Sequence, residues 1–279
     1  MTPPSLDLDH VEHLSSVEPQ PFSEKLTEIS VDDHFWFEWR WRVVDRLLRD
    51  HALPVDRPLR ALEIGSGSGV LRRQLEARTA WTVDATDLNL EALARNRSRR
   101  GGRTFFYDAQ DRNPELVGAY EVVLLFEVLE HIEHTRPFLE AVFAHLAPGG
   151  WFVLDVPALQ FFFSVYDRAA GHFRRYDKPM LGAELEPFPA LDLLELRYWG
   201  FLQLPLLAAR NAVSRTTRDP EKVIARGFEA PPEPLHAMLR GLMHVDLRLP
   251  RRPPVGTSLL MVARKREAAS IDDAHRAVA

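Results

Sequence analysis

The stretch RALEIGSGSGVLRRQLEAR, residues 60–78, restricts the chain to a small set of folds. An apolar run over 59–64 stops at Gly65-Ser66-Gly67-Ser68-Gly69, and a helical pattern starts at Val70. The glycines allow a tight strand-to-helix turn and let a ligand approach the backbone, while the helix start supplies free N–H groups. The pattern then repeats. Strands are predicted over 81–86, 104–107, 120–126 and 151–156, and helices over 70–77, 90–97 and 132–146, the last closed by Pro148-Gly149-Gly150. Apolar strands alternating with helices predict an α/β, Rossmann-like, mostly parallel sheet covered on both faces.

The flanks break this rhythm. Residues 1–25 are rich in Pro, Ser and acids and predict a loose tail. Residues 31–50 predict an amphipathic helix, but Phe35, Trp36, Phe37, Trp39 and Trp41 are too dense for one apolar stripe. Some must face a ligand cavity or a partner chain. A helix over 177–185 and a strand over 191–199 precede an apparent insertion at 200–255, which contains a helical 235–245. A last strand is predicted over 257–264. The expected organisation is an N-terminal tail and aromatic helix at 1–58, a Rossmann-like core at 59–199, an insertion at 200–255, and the last strand with a polar tail at 256–279.

With 279 residues, one large embellished domain is expected. The absence of cysteine removes disulfides, thiolate metal sites and a cysteine nucleophile. A net charge of −5 argues against a nucleic-acid partner. No apolar run reaches the ~18 residues of a membrane span, and the first residues do not read as a signal peptide, so a cytoplasmic location is expected.

The loop carries no lysine, and its last spacing is one residue shorter than G-x-G-x-x-G, which disfavours both a P-loop and an NAD site. Asp87 ends the second strand 20 residues after Gly67, where a carboxylate accepts from ribose hydroxyls. Glu63, Asp108 and Glu127 stand at the ends of neighbouring strands, whereas Asp84 falls inside its strand. Such a ring of carboxylates suits an adenosine ligand with a cationic far end.

ALEIGSGSG, TDLNLEAL, FFYDAQD, YEVVLLFEVLEHIEH and LAPGGWFVLDVP, in that order, resemble the motifs of the class I S-adenosylmethionine-dependent methyltransferases. The resemblance implies a seven-stranded sheet with the last strand antiparallel. It implies that Gly65, Ser66 and Gly67 lie along the methionine part of the cofactor, with Glu63 before the loop and Gly69 closing it. Asp87 would take the ribose and Leu88 would pack on the adenine. Asp108 and Ala109 would meet the adenine edge, and Phe126 with Glu127 would face the sulfonium. HFWFEWR resembles a lid segment of bacterial members, from which Arg40 could reach the cofactor carboxylate and Trp36 and Phe37 the acceptor.

A second constellation follows the fourth core strand. In a helical turn Glu127, Glu130 and His131 share one face. Oxygen-plus-imidazole ligation suits Mg²⁺, Mn²⁺, Fe²⁺ or Zn²⁺. The E-x-x-E-H spacing resembles the metal site of the ubiquinone-biosynthesis O-methyltransferases and of enzymes that methylate small-RNA 3′ ends, and His172 is the candidate fourth ligand. Read without a metal, these residues shape the cofactor pocket, and His131 or His134 serves as general base beside Glu127. Arg174 and Arg175, with Tyr176 beside them, could receive an anionic substrate group. The expected activity is O-methylation of a small aromatic or lipophilic metabolite, with a homodimer compatible. N- or C-methylation, cyclisation on the same fold, and a non-catalytic binding module stay open.

Overall fold

A computed structural model of the chain describes residues 6–20, 34–214, 233–248 and 252–267. Eight strands form one sheet: β1 (Val11–His13), β2 (Arg60–Ile64), β3 (Thr82–Asp87), β4 (Thr104–Phe106), β5 (Tyr120–Phe126), β6 (Leu146–Pro157), β7 (Leu191–Trp199) and β8 (Ser258–Lys265). Their spatial order is β1-β4-β3-β2-β5-β6-β8-β7. Every pairing is parallel except those of β8, which runs antiparallel to both β6 and β7. The α/β class is as expected, with one strand more than the resemblance implies. The extra strand comes from the tail expected to be loose: Val11–His13 adds a parallel edge along β4. A three-residue edge strand leaves too short a sequence pattern to read.

Eight helices are described: α1 (Phe35–Asp50), α2 (Val70–Arg78), α3 (Leu90–Arg95), α4 (Thr135–Ala144), α5 (Val165–Ala169), α6 (Lys178–Leu185), α7 (Leu204–Ser214) and α8 (Leu235–Asp246). His34 caps α1, its Nδ1 accepting from the Trp36 N–H at 3.2 Å. Two expectations need correction. The helix predicted over 132–146 is α4 preceded by a 3₁₀ turn at Leu129–His131, and Pro148-Gly149-Gly150 lies inside the long β6 rather than closing a helix. The apolar, proline-containing start of the 200–255 segment forms α7; residues 215–232 and 249–251 of that segment lie outside the described residues.

Strand periodicity divides the core in two. Val123 and Leu125 of β5 pack with Leu62, Phe152, Leu154 and the α4 side chains Phe138, Leu139 and Val142. Val122 and Leu124 face the other way, onto Leu71, Trp81, Val153, Leu260 and the α1 residues Trp39, Leu47 and Leu48. Each such fully buried side chain contributes ~1.5–3 kcal/mol of transfer free energy, enough for packing to fix which face of α1 turns inward. The pairs Ile64↔Thr86, Ile64↔Leu125 and Phe126↔Asp155 bring the carboxyl ends of β2, β3, β5 and β6 to one edge. Ligands of open α/β sheets bind at that edge.

Candidate active site

One cavity of about 850 Å³ opens along this edge, in the upper part of the ~300–1,000 Å³ range of ligand sites. At one end its wall is Gly65, Ser66, Gly67, Asp87, Leu88, Asp108 and Ala109, all expected from the sequence. Gly65, Gly67 and Gly69 all hold positive φ, at 71°, 51° and 79°. A Cβ on Gly65 would strike Val128 and one on Gly69 would strike Asn96, whereas Gly67 faces open space. Gly65 and Gly69 therefore serve the turn, and Gly67 leaves room for a ligand. Gly69 is off the cavity wall.

The loop is fastened from three sides. Gly65 and Ser66 N–H both donate to the Thr86 carbonyl at 2.9 Å. Asn96 Nδ2 donates to Ser66 Oγ at 2.8 Å and to the Gly67 carbonyl at 3.1 Å. The Gly67 N–H donates to Asp87 Oδ2 at 2.7 Å, and the Asn89 N–H to Oδ1 at 2.9 Å. Asp87 thus has a fixed backbone donor on each oxygen and still faces the cavity, where it can accept from a diol. Burial raises its pKa, and these N–H donors pull the other way. Asp84 instead binds Tyr120 Oη, Arg60 and the Arg103 N–H, so it is structural, as its place within the strand suggests.

The tail closes this end. The Gln20 N–H donates to the Leu88 carbonyl at 2.9 Å, Asn89 Nδ2 donates to the Gln20 carbonyl, and Ser15 Oγ accepts from the Asp108 N–H. Gln20 itself lines the cavity.

Deeper in the cavity, Glu63 is buried with Oε2 unpartnered among the described residues. Burial pushes its carboxyl up to about 8, against the pull of Arg40, Arg72 and Arg73. An orphaned carboxylate oxygen beside the glycine loop fits a cationic ligand end. Arg40, also on the wall, stacks on Trp36, Phe37 and Phe126 at 4.8, 5.2 and 5.4 Å. Its charge faces Asp155, Glu127 and Glu63. Trp36 and Phe37 line the cavity, while Trp39 and Trp41 pack on the sheet, which accounts for the surplus aromatics.

At the far end the E-x-x-E-H segment departs from the expected helical face. Glu127 stands at φ 55°, and the 3₁₀ turn follows. This bend sends Glu130 into the interior, fully buried, with neither oxygen partnered among the described residues. Burial, then repulsion from Glu127, holds its carboxyl well above the usual range. Asp155, a lone acid in the apolar run FVLDVP, joins them; it accepts from Trp199 Nε1 at 2.9 Å. Its pKa too is raised well above normal by burial and by Glu127.

Ligand atoms of Glu130, His131 and His172 lie within 4.8 Å of one another. Glu127 is not in that group, so three of the four expected ligands converge. The His131 and His172 rings meet at 4.6 Å, nearly perpendicular, and both line the cavity. Burial and the neighbouring His172 push His131 down to about 4, which keeps it neutral. His172 Nδ1 lies 3.2 Å from Asp167 Oδ1, so the carboxylate orients the ring.

Three expected residues are elsewhere. His134 is exposed at the start of α4, off the cavity wall, so it does not face the reacting centre. Arg174 turns away to donate to the Glu133 carbonyl. Tyr176 is buried in the core. Arg175 reaches the wall, but its Nε is held by Asp167 at 2.7 Å and its Nη1 by the Ala158 carbonyl. The cationic loop is internally satisfied because Asp167, a buried acid on α5, draws both His172 and Arg175. Asp155, Asp167, Tyr166 and Arg210 also belong to this region and carry no motif in the sequence; a single acid inside an apolar strand is the one signal, for Asp155.

Residues 36–201 match a family model described as a methyltransferase domain. The chain belongs to this methyltransferase family. Its class, an S-adenosylmethionine-dependent methyltransferase, is the one the sequence motifs imply. A ubiquinone biosynthesis O-methyltransferase from Caulobacter sp. (strain K31) is 34% identical over 101 residues, 34% of this chain and 40% of that one. One from Burkholderia ambifaria (strain MC40-6) is 33% identical over 133 residues, 45% of this chain and 50% of that one. The chain thus spans about half the length of these curated relatives. Among solved structures, phosphoethanolamine N-methyltransferase 2 of Haemonchus contortus with S-adenosyl-L-methionine gives a TM-score of 0.52 at 17% identity, over 81% of this chain and 52% of that one. The [4+2]-cyclase SpnF gives 0.52 at 16% identity, over 82% and 81%. These similarities show the fold.

Proposed function

We propose that this enzyme transfers the methyl group of S-adenosylmethionine to an oxygen of a small aromatic or lipophilic acceptor, with a divalent cation held by Glu130, His131 and His172. The observation that carries this reading is the continuity of one cavity from Gly67 and Asp87 to His131 and His172. The relatives named for ubiquinone O-methylation support oxygen as the nucleophile.

S-adenosylmethionine, when bound, supplies an electrophilic methyl group that needs mainly in-line approach of a nucleophile. Asp87 would hold its ribose, Leu88, Asp108 and Ala109 its adenine, and Glu63 its ammonium. Leu206, Leu207 and Leu239 give the far wall an apolar lining for the acceptor. The family match ends at residue 201, where this wall begins, in keeping with a variable substrate cap at 200–255. Neutral His131 can accept the acceptor's proton or offer its lone pair to a cation, and Asp167 fixes His172 for the same task. Glu127, on the wall, would steady positive charge near the reacting centre. A bound cation would lower the pKa of the acceptor hydroxyl and aim it.

The test is methyl transfer to catechols and phenols, followed by mass spectrometry, with Mg²⁺, Mn²⁺ or Zn²⁺ and with chelator. O-methylated products that His131→Ala reduces by ~10²–10⁴-fold support the reading. Methylation of amines but of no phenol would overturn it.

A further inference from the structure

The acceptor end of the cavity holds a guanidinium from outside every motif. Arg210 on α7 lines the cavity beside Leu206 and Leu207. Its guanidinium lies 3.9 Å over the Tyr166 ring, and its Nε and Nη2 are shielded from solvent with no hydrogen-bond partner among the described residues. Asp167, the acid on the adjoining α5, is engaged by other partners. Its Oδ1 takes Arg175 Nε and faces His172 Nδ1, and its Oδ2 takes the Ser164 N–H and Oγ. Asp167 is thus taken by Arg175 and His172, and Arg210 has no ion-pair partner among the described residues.

A buried, unpaired guanidinium is costly, and proteins retain one where a ligand completes it. The placement is fixed on both sides. Asn211 Nδ2, next in sequence, donates to the Phe162 carbonyl at 2.9 Å and ties α7 to the turn before α5. Tyr166, like Glu127 and Arg210, lines the cavity. The cavity therefore offers a cation at its α7 wall and the proton-accepting histidine at the strand edge.

Resting on the cavity assignment made above, we infer that Arg210 is the anion anchor of the acceptor site. The acceptor then carries a carboxylate or phosphate at some remove from the atom that is methylated. The planar fork of Arg210 suits either oxyanion, and the Tyr166 face holds the fork flat. Arg175, the expected anion receptor, is displaced from that role by Asp167.

The probes are benzoate, phenyl phosphate and neutral benzyl alcohol, titrated calorimetrically into the full chain with and without S-adenosylhomocysteine. One of the two anions is expected to bind at least about tenfold more tightly than benzyl alcohol, and which one distinguishes a carboxylate from a phosphate acceptor. Arg210→Gln should erase that preference while leaving benzyl alcohol and S-adenosylhomocysteine binding unchanged; Arg210→Lys should restore part of it. Equal binding of all three probes, or a preference that survives Arg210→Gln, overturns the inference. Loss of S-adenosylhomocysteine binding in the unaltered protein would instead count against the cofactor reading, and the anion titrations without cofactor would still decide the role of Arg210.

Discussion

Asp87 and Glu130 are both acids brought to the same sheet edge, yet the chain treats their oxygens in opposite ways. Each oxygen of Asp87 receives a backbone N–H, from Gly67 and from Asn89. Neither oxygen of Glu130 has a side-chain donor or a donor from another residue among the described residues. One end of the cavity is finished before a ligand arrives: turn, cap and carboxylate lock one another. The other end is left incomplete, with Glu127, Glu130 and Asp155 held above the usual range by burial, and Glu130 and Asp155 also by the charge of Glu127. Preorganised donors favour tight and specific binding of one invariant molecule. Unsatisfied buried acids destabilise the fold until something cationic completes them.

Four outcomes would break or sharpen this contrast. The largest concerns the finished end. Asp87→Ala removes the diol acceptor and orphans the Gly67 N–H, so affinity for S-adenosylhomocysteine should fall at least ~100-fold, at ~1.5–3 kcal/mol for each charged hydrogen bond lost; calorimetry checks it. Next, the incomplete end should gain from a cation. Mn²⁺ or Zn²⁺ at 100 times its Kd should stabilise the chain by ~2.7 kcal/mol in denaturant melts. Glu130→Ala or His172→Ala should remove that gain, and a gain that persists would dissociate those residues from the cation.

Smaller effects follow. In chelator, Glu130→Met should leave the fold more stable by ~1–2 kcal/mol, because an apolar side chain replaces unsatisfied oxygens. An equal loss of stability would mean that Glu130 is already satisfied. The smallest effect lies at Glu63. Its carboxyl is raised from 4.5 to about 8, so the group adds stability below pH 4.5 that is lost as pH rises through about 8. A ligand ammonium would favour its ionised form. Cofactor binding at pH 7 should then release up to about one proton, seen as a dependence of calorimetric heat on buffer ionisation. Glu63→Gln should abolish that dependence.

The sequence disclosed the finished end almost whole. Gly65, Gly67, Asp87, Leu88, Asp108 and Ala109 sit at fixed distances along β-α units, and parallel register carries such spacing directly into space. The other end was only half legible. Reading Glu127, Glu130 and His131 as one helical face assumed a period that the positive φ of Glu127 breaks. Arg174 and Arg175 looked like receptors because charge is visible in sequence and partners are not; Asp167, several residues earlier, had already taken Arg175. Arg210 was hidden for the converse reason, since only the packing of α7 on α5 places it over Tyr166. The edge strand Val11–His13 was missed because three residues carry no period.

The most direct test of the two-ended account is a calorimetric titration of S-adenosylhomocysteine into chelator-treated protein, repeated on Glu130→Ala and on Asp87→Ala. The account predicts one-to-one binding of equal affinity in the first two and none measurable in the third. Binding that requires the cation, binding that survives Asp87→Ala, or binding of NADH in place of S-adenosylhomocysteine would contradict it.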